Sequence, residues 1–195
     1  MHKTRRKALS AVIMSLISGA NLSVTSLGRN INSKTTEKHQ IKRCDRLCSN
    51  PHLKLEIEGI YKNLIQCFLA DQKHPIILVD WSDLDDCKRH YLIRASIAVE
   101  GRSLTLYEEV HPLATKEKPA THQSFLNQLK AFLPAQTTPI IITDAGFRIP
   151  WFKQVKALGW DYIGRIRNKT LCQNKTDEEW HPVKDLYQSA TTYPA

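Results

Sequence analysis

Two aspartates stand where an acid is costly. Pro75-Ile76-Ile77-Leu78-Val79-Asp80-Trp81 holds an unbroken apolar run that ends in Asp80, and Pro139-Ile140-Ile141-Ile142-Thr143-Asp144 is a second run, apolar but for Thr143, that ends in Asp144. Runs of this length and β-branched content read as buried strands of a sheet covered on both faces. A carboxylate at the end of such a strand costs several kcal/mol to bury unless it is paired, hydrogen-bonded or metal-bound. Two of them on neighbouring strands repel, and a divalent cation removes the repulsion. An all-oxygen donor set suits Mg²⁺ or Mn²⁺, and two such ions on a phosphate ester could activate one oxygen and stabilise another. The competing reading is that each aspartate caps the turn after its strand. Spacing alone leaves both open.

The elements that would position this pair can be read from periodicity. Residues 91–99 and 103–109 read as strands joined by a turn at Glu100-Gly101-Arg102. Residues 124–133 read as a helix, with Phe125, Leu126, Leu129, Phe132 and Leu133 on one face. Pro150 opens another helix that Gly159 stops, and 160–166 reads as a fifth strand. The order β-β-β-α-β-α-β predicts an antiparallel meander extended through helices, a mixed sheet rather than a doubly wound parallel one. Residues 168–195 show no clear period.

The region before the first strand is helical and basic. Leu9, Val12, Ile13, Leu16 and Ile17 follow helical spacing. Lys3–Lys7 followed by Ala8–Ala20 also has the outline of a signal peptide, but Ser10, Ser15 and Ser18 interrupt it and the chain continues basic. Residues 21–50 read as two short helices around a turn at 30–33. The second carries Ile41, Cys44 and Cys48 on one side and Lys38, Lys42 and Arg46 on another, the outline of a helix-turn-helix. Residues 51–72 read as one more helix, with Leu53, Ile57, Ile60, Leu64 and Phe68 on a face.

Charge separates the regions. The chain of 195 residues carries 28 basic and 19 acidic residues, and its first fifty hold ten basic and two acidic ones. A positive block beside a near-neutral body suggests a nucleic-acid arm, with Arg29, Lys34, Lys38, Lys42, Arg43 and Arg46 as candidate DNA contacts. Hydrophobic residues at 42% and charged residues at 24% exclude a disordered chain. No apolar run reaches the roughly 18 residues of a spanning helix, so no membrane partner is expected. Five cysteines without regular spacing point to a reducing compartment, hence the cytoplasm. Cys44, Cys48 and His52, with His39, lack CxxC spacing, and core packing is the commoner role for such cysteines. Asp83, Asp85 and Asp86 form an acidic loop after Asp80, and Arg94, Arg102, Arg148, Arg165 and Arg167 are weak candidates for phosphate contact.

Several ordered stretches carry a resemblance. Leu78-Val79-Asp80-Trp81-Ser82-Asp83, Arg94-Ala95-Ser96, Gly101 to Glu108, Thr143-Asp144-Ala145-Gly146-Phe147 and Pro150-Trp151 resemble bacterial DDE transposases of the insertion-sequence-four family, in the branch of the insertion-sequence-ten transposase. Leu27-Gly28-Arg29-Asn30 and Ile41 to Leu47 resemble that group's N-terminal region. The resemblance implies a helical DNA-binding domain over 1–72, a ribonuclease-H-like catalytic domain over 73–167, and the start of an insertion or a disordered tail over 168–195. It implies that Asp80 and Asp144 are the first two acids of the triad and would hold two Mg²⁺ or Mn²⁺ ions. It also implies double-stranded DNA as partner, at element ends and target, metal-dependent strand cleavage and transfer as activity, and a homodimer in the synaptic complex. The family's third acid is a glutamate in a Tyr-Arg-Glu-Lys signature, which this sequence lacks. Glu178 and Glu179 are nearby acids without that signature, and neither is assigned. The expectation is therefore a truncated or split form, with a DNA-binding remnant that does not cut as the alternative.

Overall fold

Local sequence signals set the N-terminal helices. The computed structural model describes residues 1–70, 72–173 and 179–189. The chain divides into two compact units, Met1–Tyr61 and Lys62–Ala195. In the first, α1 (Lys3–Ile17) is followed by α2 (Val24–Arg29) and α3 (Glu37–Cys48). Ser23 caps α2, its side chain accepting from the Ser26 N–H at 3.2 Å. Pro51 opens α4 (Pro51–Leu69), where the helix over 51–72 was expected to start, and Asn50 Oδ1 accepts the His52 N–H at 3.0 Å. Proline suits that first turn because its missing N–H would have had no helical partner.

Val12, Leu27, Ile31, Cys44 and Leu47 form the core of this unit, with Leu9, Leu16 and Leu53 against it. α2 and α3 approach so closely that a Cβ on Gly28 would lie 2.5 Å from Ile41 Cα. Three sequence expectations shift by about one residue. Leu47, not Cys48, completes the buried side of α3, and Cys48 is exposed. Ile13 and Ile17 of α1 are exposed, because the stripe that packs runs through Val12 and Ser15. In α4 the buried residues are Ile65 and Leu69, whereas Ile57 and Leu64 are exposed. Apolar residues are frequent enough in α4 to define two overlapping stripes, and tertiary packing selects one of them.

Among the described residues of the second unit, five strands form one sheet: β1 (Ile76–Asp83), β2 (His90–Val99), β3 (Arg102–Pro112), β4 (Ile140–Thr143) and β5 (Asp161–Gly164). Their order is β3-β2-β1-β4-β5. The β1–β2 and β2–β3 pairs are antiparallel, and the β1–β4 and β4–β5 pairs are parallel. The sheet is therefore mixed, with α5 (Pro119–Phe132) and α6 (Ile149–Ala157) in its connections. α5 starts five residues before the expected Ser124, with Lys118 as N-cap and Pro119 in the first turn. The earlier turn buries Thr121 and His122, polar residues that a hydrophobic pattern overlooks. Gly159, at φ +80°, turns the chain out of α6. A hairpin of β6 (Leu171–Cys172) and β7 (His181–Pro182) and a 3-10 helix at Val183–Ser189 follow.

The apolar runs are not buried on both faces. Along β1, Ile77 and Val79 are buried and Ile76 and Asp80 are exposed. In β4, Ile141 and Thr143 are buried while Ile140 and Ile142 are half-buried. One face of the sheet carries the core with Phe125, Leu126, Leu129, Trp151 and Val155, and the opposite face is more open.

Candidate active site

Strand register builds the site. Leu78 of β1 pairs with Ile142 of β4, and Val79 with Thr143. In a parallel pair, residues in register point to the same face, so the next step places Asp80 beside Asp144 on the open face. Neighbouring strands are about 4.8 Å apart, a separation that one cation can bridge with oxygen bonds of about 2.1 Å. Asp80 was expected at a strand end. β1 instead continues to Asp83, because Trp81, Ser82 and Asp83 still pair with Ile93, Leu92 and Tyr91 of β2. What ends at Val79 is the pairing with β4.

The same register extends the row in both directions. Asp80 faces Arg94 on β2, and Arg94 faces Glu108 on β3, where the two side chains form an ion pair at 3.0 Å. On the other side Thr143 pairs with Gly164, and the Arg165 N–H donates to the Thr143 carbonyl at 3.1 Å, which carries Arg165 to the level of Asp144. The row reads Glu108, Arg94, Asp80, Asp144, Arg165: two carboxylates flanked on each side by a guanidinium. Arg165, Arg167, Asn168, Lys169 and Tyr187 line a cleft of about 520 Å³ with Asp144. Tyr187 donates its hydroxyl to Asn168 Oδ1 at 2.7 Å.

Partial burial pushes the Asp80 carboxyl above the usual carboxylate range. The Trp81 N–H opposes this, the charge of Asp144 adds to it, and Arg94 opposes it again. Asp144 is held by its own loop, where Asp144 Oδ1 accepts the Gly146 N–H at 2.9 Å. A Cβ on Gly146 would lie 3.0 Å from that same oxygen. Two like charges held side by side, both oxygen donors and both open to solvent, fit a hard divalent cation. Asp80 and Asp144 would hold it. Among the described residues no group of three His, Cys, Asp or Glu side chains converges as a metal site. Glu178 lies outside the described residues.

The other sequence candidates separate into distinct places. Asp83 pairs with Lys88 at 3.6 Å, and Asp85 accepts the Arg89 and His90 N–H groups, so this acidic loop is tied up in the β1–β2 turn. Cys44 is buried in the core of the first unit, and His39 is bonded to Thr36 Oγ1 at 2.7 Å. In the first unit Lys38, Lys42 and Arg46 are exposed along α3, and Lys34 is exposed before it. Arg43 donates to the Lys7 carbonyl at 2.9 Å. Arg43 and Arg46 share a cleft of about 560 Å³ with Arg5 and Lys7 of α1. Arg29 stands apart, its charge paired with Glu37 at 2.8 Å.

Sequence reasoning missed the partners of the pair. Arg94 and Arg165 stood only as generic phosphate contacts, and Lys169, Asn168 and Tyr187 were not singled out. The register that aligns the row links residues 14 to 64 positions apart, and no local pattern encodes it.

Neither a curated protein nor a solved structure matches the chain. The profile of a family described as the transposase DDE domain matches residues 71–194, more than half of the chain, and that stretch holds both aspartates and all five strands of the sheet. The chain therefore belongs to the transposase DDE domain family.

Proposed function

We propose that this chain serves DNA transposition, with Asp80 and Asp144 as the first two acids of the triad and the basic N-terminal unit as its DNA-docking part. The parallel register of β1 with β4 carries the reading, because it sets the two carboxylates side by side on an open face. The strand order and the mixed pairing support a ribonuclease-H-like fold. The quoted motifs support placement in the insertion-sequence-four branch.

The residues divide the work. Asp80 and Asp144 would hold Mg²⁺ or Mn²⁺, which when bound supplies Lewis-acid polarisation of a phosphodiester oxygen. Arg165, Arg167 and Lys169 beside Asp144 supply positive charge where a DNA backbone would enter that cleft. Arg94, neutralised by Glu108, limits the repulsion at Asp80 without occupying it. In the first unit, Lys38, Lys42 and Arg46 present a cationic stripe on α3 that suits phosphate contact.

Calorimetric titration of the full chain with Mn²⁺ tests the site. Wild type is expected to bind, and Asp80→Asn and Asp144→Asn are each expected to weaken binding by more than about tenfold. Unchanged affinity in both variants, with the fold intact by circular dichroism, overturns the assignment.

A further inference from the structure

Beneath the carboxylate pair, on the covered face of the sheet, lies a side chain that the reading above leaves unused. His122 of α5 is buried, and its Nε2 accepts the indole N–H of Trp81 at 3.1 Å. Trp81 directly follows Asp80 in β1 and, by strand alternation, points to the opposite face. The imidazole also stacks on Phe147, with ring centroids 5.4 Å apart and planes at 29°. Phe147 directly follows Gly146, whose N–H holds Asp144. Trp151 closes the cluster, edge-on to His122 at 5.0 Å and packed on Phe147 at 4.6 Å.

From this geometry we infer that His122 is a positioning residue, a brace that fixes the spacing of Asp80 and Asp144 by gripping the residue after one and the loop after the other. The inference rests on the reading of the two aspartates as cation ligands. Its chemistry is specific to a neutral imidazole. Nε2 must offer its lone pair to Trp81, so the ring proton sits on Nδ1. Burial, with a smaller contribution from His111, pushes the His122 pKa down to about 4, which keeps the acceptor available at neutral pH. Without that acceptor the Trp81 N–H is left unpaired in a half-buried place, and β1 loses a lateral restraint one residue from Asp80. Groups that orient metal ligands from behind typically contribute 10- to 100-fold in metal affinity.

The test uses the full chain and Mn²⁺ alone. His122→Phe keeps a stacking ring and removes the acceptor. His122→Gln keeps an acceptor near the Nε2 position. Trp81→Phe removes the donor. His122→Phe and Trp81→Phe are each expected to weaken Mn²⁺ binding about tenfold, the double variant to be no weaker than either single one, and His122→Gln to retain wild-type affinity. The non-additive double variant and the rescue by Gln are results that general loosening of the core would not produce. Wild-type affinity in Trp81→Phe, or in a folded His122→Phe, overturns the brace, and so does a His122→Gln variant that loses affinity. If His122→Phe fails to fold, Trp81→Phe and His122→Gln still decide between the outcomes. If Asp80→Asn and Asp144→Asn bind as wild type does, the ligand reading fails instead, and the two failures are distinguishable.

Discussion

Asp80 is a residue placed against its own folding preference. Its pKa is raised by partial desolvation at the sheet surface and by Asp144, so at neutral pH its ionised form destabilises the metal-free fold. Asp80→Asn is accordingly expected to raise the Tm of the metal-free protein while weakening Mn²⁺ binding, which calorimetric unfolding with and without Mn²⁺ would show. His122 works with the opposite sign of linkage. Its folded pKa of about 4 lies below the unfolded value of 6.5, so the unfolded chain binds the proton more readily. The contribution is fully present above pH 6.5 and is lost as pH falls towards 4, by up to about 3 kcal/mol. Denaturant unfolding at pH 7 and pH 4.5 should show a smaller acid loss in His122→Gln than in wild type. Protonation of Asp80, whose pKa is raised, also favours the fold as the pH falls, so the comparison between variants isolates His122. The sequence made Asp80 and Asp144 legible because an acid at the end of a run as apolar as Ile76–Val79 or Ile140–Ile142 is unusual. It did not reveal His122, whose meaning depends on Trp81 lying 41 positions away.

At the scale of elements, periodicity located the five strands of the sheet and the helices around them and found the buried face of α5, but it misjudged the faces of α1 and α4. α4 shows why: both Leu64 and Ile65 suit a core, and only packing decides that Ile65 is the buried one. β1 shows another limit, since the hydrophobic run ends at Val79 but the ladder with β2 continues through Asp83. The start of α5 was missed because its first buried residues are Thr121 and His122. Gly28 turns such packing into a prediction. In an exposed helix interior, Gly→Ala stabilises by about 1 kcal/mol. Here the added Cβ meets Ile41 backbone at 2.5 Å, so Gly28→Ala should destabilise by about 1–3 kcal/mol through forced separation of α2 and α3. Thermal unfolding followed by circular dichroism gives the sign directly. The stripe on α3 predicts a different observable. Replacing Lys38, Lys42 or Arg46 with Ala should weaken DNA binding across sequences and lower the salt slope by about one per residue. Arg29→Ala should change the slope least, because Glu37 already offsets its charge.

For the molecule as a whole, charge and core are distributed differently between the two units. Met1–Tyr61 holds eleven basic and four acidic residues, and the remaining residues hold seventeen and fifteen. Each unit has its own buried cluster, one around Cys44 and Leu47 and the other around Phe125, Leu129 and Trp151. Two cores of this kind are expected to melt as two cooperative transitions rather than one. A ligand that binds only the native form of one unit raises the transition of that unit by RT ln(1 + [L]/Kd), about 2.7 kcal/mol at a hundredfold excess over Kd. Mn²⁺ should therefore raise the transition that Asp80→Asn also alters, and leave unmoved the one that Gly28→Ala lowers. A short DNA duplex at low salt should act chiefly on the latter, where the cationic stripe lies. Differential scanning calorimetry of wild type and these two variants, with Mn²⁺ and DNA added separately, assigns each transition to its unit. A single transition that both variants and both ligands shift together would mean that the two cores unfold as one, and the proposed division of labour between a DNA-docking unit and a catalytic unit would lose its thermodynamic basis.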